Sequence, residues 1–99
     1  MMKIRANDVV AVQPEFVKIA GALGGVMLSQ LWQWSDFELN AWVCRSESDW
    51  MAATGLDSTM LMKARKRLES RGLIEVSIDR LGVRINGAEL EDAIGRVGR

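Results

Sequence analysis

Two short helices that meet at a sharp turn constrain the fold of this chain more than any other feature of its sequence. Ser46 and Asp49 have the spacing of a capping box, which predicts a helix that begins there and ends at Gly55. Asp57 or Ser58 is then placed to cap the next helix. Because one helix ends and another begins within a few residues, this pattern is typical of a helix-turn-helix.

A β-hairpin follows the second helix of this pair. The helix is predicted to run to about Arg71, with Gly72 as its C-cap. Residues 73–78 then alternate as a strand, residues 79–82 make a tight turn, and residues 83–85 return as the partner strand. Two helices followed by a hairpin predict a winged helix-turn-helix, in which the hairpin is the wing.

Glycines divide the N-terminal half of the chain. Residues 8–13 are short and β-branched, which predicts an edge strand that ends at Pro14. Within residues 15–35 the apolar spacing is helical, on one face before Gly21 and the Gly24–Gly25 pair and on another face after them. Because each glycine weakens a helix by about 1 kcal/mol, we expect two helices that meet at a bend; a single kinked helix is the alternative.

The remaining elements complete a mixed α+β domain. Residues 41–44 are short, apolar and partly β-prone, so they are a further strand candidate. Asn86 is placed to cap a last helix that runs from about Gly87 to Ile94. Since the chain has no repeat or linker, we interpret residues 1–99 as one domain with the order β-α-α-β-α-α-β-β-α.

The composition argues against catalysis and against metal or cofactor binding. The 99 residues include no histidine and one cysteine, Cys44. The chain therefore lacks the commonest general base and metal ligand, and it cannot form an internal disulfide. A phosphate-binding loop is also missing. We expect no enzymatic activity, no metal and no cofactor, and we interpret Cys44 as a small buried residue of a strand.

The hydropathy pattern predicts a protein that stays out of membranes. No apolar stretch reaches the ~18 residues that span a bilayer, because polar side chains interrupt the run Phe16–Trp34. The first residues lack the basic, apolar and small-residue regions of a signal peptide. Together with the single cysteine, which fits a reducing compartment, these features predict a cytoplasmic protein.

Charge is unevenly distributed in this chain of zero net charge. Residues 1–57 carry four basic and seven acidic side chains. Residues 58–84 carry seven basic and three acidic side chains, and residues 85–99 carry two basic and three acidic side chains. The middle segment thus has a net charge of +4. A basic segment inside a neutral protein favours a directed contact with an anionic partner.

The helix over about residues 58–71 carries most of this positive charge. Leu61, Ala64 and Leu68 share one apolar stripe, which predicts the buried face. The opposite face offers hydroxyl, thioether and cationic groups that suit the major groove of double-stranded DNA, with base contacts near the N-terminus of the helix. The candidates for base contact are Ser58, Thr59, Met62 and Lys63, the candidates for phosphate contact are Lys66, Arg67 and the wing residue Arg80, and Ser70 lies on the same outward face.

The chain contains four tryptophans, a large number for its length. Trp34 and Trp50 are predicted to lie in the core, because a tryptophan there removes a large apolar area from water. Trp32 lies off the face that holds Leu31 and Trp34, and it is a candidate contact for a protein partner, since interfaces are enriched in tryptophan. The sequence leaves the environment of Trp42 open.

Five segments resemble known DNA-binding proteins. Gly55–Thr59 and Arg65–Ile74 look like the recognition helix and wing start of bacterial winged-helix proteins. Ser29–Trp34, Trp42–Val43 and Ser46–Trp50 resemble the N-terminal domain of phage and plasmid replication initiation proteins, the replisome organisers. This resemblance implies a winged-helix fold that binds DNA at a replication origin or recruits parts of the replisome.

The resemblance covers roughly residues 9–85 and leaves several roles open. A transcription regulator would use the same DNA contacts. A protein–protein interaction module on the same fold, either a replication adaptor or a small phage-encoded inhibitor of a host complex, is the alternative that the zero net charge and the tryptophans favour. Many winged-helix proteins dimerise, so a homodimer is a further alternative.

Overall fold

A computed structural model describes residues 12–79 and 81–97, which form four helices and a small three-stranded antiparallel sheet. The prediction of a mixed α+β domain is therefore confirmed. The predicted strand over residues 8–13 falls mostly outside the described residues, and residues 12–13 are not in a strand. In chain order the elements are α1 (Pro14–Trp34), β1 (Val43–Cys44), α2 (Glu47–Thr54), α3 (Ser58–Ser70), β2 (Ile74–Val76), β3 (Gly82–Ile85) and α4 (Gly87–Val97).

Helix α1 is broken at Gly21, and its two segments fold against each other. Gly21 has φ 77° and ψ 176°, a conformation that is nearly restricted to glycine. Beyond the break the backbones approach closely, because a methyl group on Gly25 would lie only 2.7 Å from Cγ2 of Val17. The Gln13 N–H donates to Ser29 Oγ at 3.0 Å across the same contact. The prediction of two helices that meet at a bend is confirmed.

The sheet has β3 at its centre, paired antiparallel with β2 in the predicted hairpin and with β1 on the other side. Val43 lies opposite Val83 and both are buried, whereas Cys44 lies opposite Gly82 and is exposed. Successive side chains of a strand point to opposite faces of the sheet, so the burial of Val43 places Cys44 outside. The interpretation of Cys44 as a buried residue is therefore wrong.

Side-chain hydrogen bonds organise the turn between β2 and β3. The Ser77 hydroxyl donates to the Asp79 carboxylate and accepts the Gly82 N–H at 2.8 Å. The same carboxylate accepts the Leu81 N–H at 3.1 Å. The hydrogen bond from the Ser77 hydroxyl has the largest effect on the pKa of Asp79, and the bond from the Leu81 amide has the next largest. Both hold this pKa below its usual value.

We expect Ser77→Ala to raise the pKa of Asp79 towards that of the unfolded chain, because the substitution removes the strongest donor. The folded pKa is the lower one, so the ionised carboxylate stabilises the turn above the unfolded pKa. This stabilisation is lost as the pH falls through the folded pKa. Carboxyl-carbon NMR titrations of the wild type and the variant measure both pKa values, and two superimposable titrations would contradict the expectation.

The core is formed by residues of α1, α2, α3 and α4 and by the inner face of the sheet. Trp50 is 1% exposed and meets Trp34 edge-to-face, with the ring centroids 4.7 Å apart, and Trp34 is half-buried against the core. The prediction is confirmed for Trp50, whereas Trp34 packs against the core without being fully buried. The neighbouring Met51 is exposed, because the short helix α2 turns only the Trp50 side towards the core.

The other helices form with small shifts at their ends. α3 ends at Ser70, one residue before the predicted end, and α4 continues to Val97 rather than ending near Ile94. Asn86 Oδ1 accepts the Glu89 N–H at 3.3 Å, as expected for the cap of the last helix. Among residues 12–79 and 81–97, no helix is long and apolar enough to cross a membrane.

Candidate nucleic-acid interface

Local hydrogen bonds determine the ends of α2 and the start of α3. Ser46 Oγ accepts the Asp49 N–H at 3.1 Å and the Asp49 carboxylate accepts the Ser46 N–H at 3.3 Å, so the predicted capping box is present. Gly55 ends α2 in the left-handed conformation, with φ 75°. Asp57 caps α3, because its carboxylate accepts the Met60 N–H at 2.8 Å. These contacts confirm the predicted caps of α2 and α3 and determine where each helix begins.

The two faces of α3 are those that the sequence predicts. Leu61, Ala64 and Leu68 are buried and pack into the core. The opposite face is open along the whole helix. Met62, for example, is 56% exposed. The exposed residues of this face are Ser58, Thr59, Met62, Lys63, Lys66 and Ser70.

The cations of this face carry no neutralising partners within the described part of the chain. Lys63, Lys66 and Arg67 are exposed, and none of them forms an ion pair with a described carboxylate. The ion pairs between described side chains lie elsewhere, in the sheet at Arg84–Glu75 and in α4 at Arg96–Asp92. As far as the described residues show, these three cations are therefore available to an anionic partner.

Two arginines on one flank of α3 reach the broken turn of α1. The guanidinium of Arg67 lies over Gly21, where a Cβ atom would be 3.2 Å from Arg67 Cζ. Nη1 of Arg71 donates to the carbonyl of Ile19 at 2.8 Å. Arg67 and Arg71 are four residues apart, so the helical period alone puts them on one flank, but it does not predict their contact with α1. The glycine that breaks α1 is the signal that could have suggested an open backbone there.

The exposed aromatic residues differ from the one singled out in the sequence. Trp32 is half-buried against the core and meets Phe37 edge-to-face, with the centroids 5.6 Å apart. Phe37 itself is 61% exposed, and Trp42 is 48% exposed beneath the guanidinium of Arg84. Phe37 and Trp42 are thus more accessible to a partner than Trp32.

The hairpin tip carries exposed apolar side chains. Ile78 and Leu81 are both open to solvent, on either side of the turn. Arg80, the wing residue predicted to contact phosphate, lies outside the described residues. The prediction for Arg80 therefore stays a prediction.

No protein-family model matches this chain, and neither a curated protein nor a solved structure shows significant similarity to it. The function of this chain is therefore inferred from its shape and charge. Its most distinctive surface is the open, cationic face of α3, which is placed by a tight turn and followed by a hairpin.

Proposed function

We propose that the chain is a winged helix-turn-helix domain that binds double-stranded DNA. In this proposal the outward face of α3 enters the major groove and the β2–β3 hairpin acts as the wing. The observation that carries the proposal is that Lys63, Lys66 and Arg67 lie on the exposed side of a helix that follows a tight turn and form no ion pair with a carboxylate of residues 12–79 or 81–97. Solvated cations of this kind bind phosphates by releasing condensed counterions.

The proposed contacts follow the direction of α3. Its N-terminal part would meet base edges, where the exposed Met62 can pack on a thymine methyl group and hydroxyls and ammonium groups can form hydrogen bonds. Cations further along α3 and on the wing would bind phosphates. The proposed base contacts are Ser58, Thr59, Met62 and Lys63, and the proposed phosphate contacts are Lys66, Arg67 and Arg80, with Ser70 beside them.

The process that this binding serves is proposed from the sequence resemblance. Initiation of phage or plasmid replication is the first candidate, and transcriptional regulation is the second. Both use the same DNA contacts.

We expect Lys63→Ala/Lys66→Ala to weaken binding to a random duplex at least tenfold, because it removes a predicted base contact and a predicted phosphate contact. If Lys66, Arg67 and Arg80 all contact phosphates, the wild-type slope of log affinity against log salt is about −3, and the variant slope is shallower by about 0.9. Fluorescence anisotropy over a series of salt concentrations measures both quantities.

The matched control is Lys18→Ala/Arg96→Ala, which removes the same charge from exposed positions on α1 and α4. We expect its slope to equal that of the wild type. Equal binding by the wild type and the α3 variant, or wild-type binding that does not depend on salt, would contradict the proposal.

A protein–protein interaction module is the second candidate, and exposed aromatic residues favour it. Trp42 lines a shallow apolar cleft with Val76 and Ile78, and Phe37 is exposed at a separate place beside Trp32. Interfaces are enriched in such side chains. Stoichiometric capture of one protein partner, with no DNA affinity at low salt, would decide for this function.

A further inference from the structure

The break in α1 exposes a backbone carbonyl to α3. At Gly21 the backbone leaves helical geometry, which interrupts the regular series of hydrogen bonds from each N–H to the carbonyl four residues earlier. The carbonyl of Ile19, just before the break, accepts a hydrogen bond from Nη1 of Arg71 at 2.8 Å. Because the donor is a cation, this bond is stronger than one between neutral groups.

A second guanidinium occupies the bare backbone of the break itself. Arg67 lies one helical turn before Arg71 and covers Gly21, with its Cζ and Nε each 3.2 Å from the place that a Cβ would take. Its Cδ lies 3.8 Å from the corresponding place at Gly24. Two side chains on one flank of α3 therefore contact one short stretch of α1, and the absence of side chains at the glycines provides the space.

These contacts differ in kind from the apolar packing of α3. The stripe of Leu61, Ala64 and Leu68 buries α3 against the core, but apolar burial has little directional preference. A hydrogen bond to a carbonyl is directional. Arg71 thus limits how far the C-terminal half of α3 can rotate or slide along α1. Lys63 and Lys66 belong to the same helix, so their positions are limited with it.

We infer that Arg71 is a positioning residue for the DNA-binding face of α3, and that the broken turn of α1 at Ile19–Gly21 is its binding site. This inference depends on the proposed DNA binding. Arg71 holds the angle at which Lys63 and Lys66 meet the duplex, while its own guanidinium is bound to the backbone of α1. Arg67 is exposed as a residue although its guanidinium packs on Gly21, and in the proposed function it is a phosphate contact.

The experiment compares Arg67→Gln with Arg71→Gln, which make the same chemical change one turn apart on the same helix. Anisotropy titrations over a salt series use two duplexes, one selected by the wild-type protein from random DNA and one random. Circular dichroism identifies a temperature at which every variant is folded, so that a loss of stability alone leaves affinity unchanged.

We expect Arg71→Gln to lower affinity for the selected duplex about tenfold while the salt slope stays at the wild-type value, because no phosphate contact is removed. We expect the ratio of selected to random affinity to fall as well. Arg67→Gln should instead make the salt slope shallower by about 0.9 on both duplexes. If Arg71→Gln does not fold, Arg71→Met keeps the apolar stem and has the same expected results.

Two outcomes overturn the inference while leaving the proposed function intact. The first is an Arg71 variant that binds DNA with the affinity and selectivity of the wild type. The second is an Arg71 variant whose slope of log affinity against log salt is shallower by about 0.9, which would make Arg71 itself a phosphate contact. A wild-type protein without salt-dependent DNA binding overturns the proposed function, and the inference with it.

Discussion

Gly25→Ala is expected to destabilise the domain, although alanine is a better helix former than glycine by about 1 kcal/mol. The new Cβ would lie 2.7 Å from Cγ2 of Val17 and 2.8 Å from its Cα. The side-chain atom could rotate away, but the Cα can move only with the backbone of the first segment of α1. We expect a net loss of about 2 kcal/mol in the free energy of unfolding, measured by denaturant titration.

Gly95→Ala is the matched control for this prediction. Gly95 is also in a helix, and apart from its chain neighbours and the helix's own backbone no described atom lies within 4 Å of the place of its Cβ. Alanine should therefore stabilise the domain there by roughly 0.5–1 kcal/mol. If Gly25→Ala stabilised the domain to the same degree, the two segments of α1 would not be in close contact.

Trp50→Ala is expected to have the largest effect on stability of any single substitution proposed for this chain. Trp50 is 1% exposed and packs edge-to-face against Trp34. Removal of a buried tryptophan side chain costs about 3–5 kcal/mol, whereas a domain of this size is stable by only about 5–15 kcal/mol. We expect a greatly lowered midpoint in thermal and denaturant unfolding, or a chain that is unfolded at room temperature.

Trp42→Ala is the control, because it makes the same change at a side chain that is 48% exposed. It removes a cation–π contact with Arg84, which contributes about 0.5–1 kcal/mol at an exposed site, and little burial. Similar losses of stability in the two variants would show that Trp50 is not part of the core.

The parts of the fold that could be predicted from the sequence are those that local interactions determine. The capping box of Ser46 and Asp49, the glycine that ends α2 and the Asp57 cap all act within a few residues. The outward face of α3 follows from the helical period alone, because Leu61 and Leu68 must turn inwards together. The predicted site residues on α3 were therefore placed on one open surface, although their binding of DNA stays a prediction.

The features that could not be predicted depend on contacts between distant parts of the chain or on unusual backbone conformations. Arg71 and Ile19 are 52 residues apart, and no local pattern connects them. Phe37 has φ 61°, which is rare for a bulky side chain, and it is exposed in a loop where hydrophobic spacing carries no information. The exposure of Cys44 follows from the register in which β1 pairs with β3, and this register depends on contacts between distant parts of the chain.

The position of β3 in the middle of the sheet has a consequence for how the chain folds during its synthesis. β1 and β2 precede β3 and each pairs with it, so the sheet assembles only after Ile85 has left the ribosome. The nascent chain before that point has α1, α2 and α3 but no partner for Val43 or Ile74. The apolar strand residues of β1 and β2 then stay accessible to solvent and to chaperones until β3 has emerged from the ribosome.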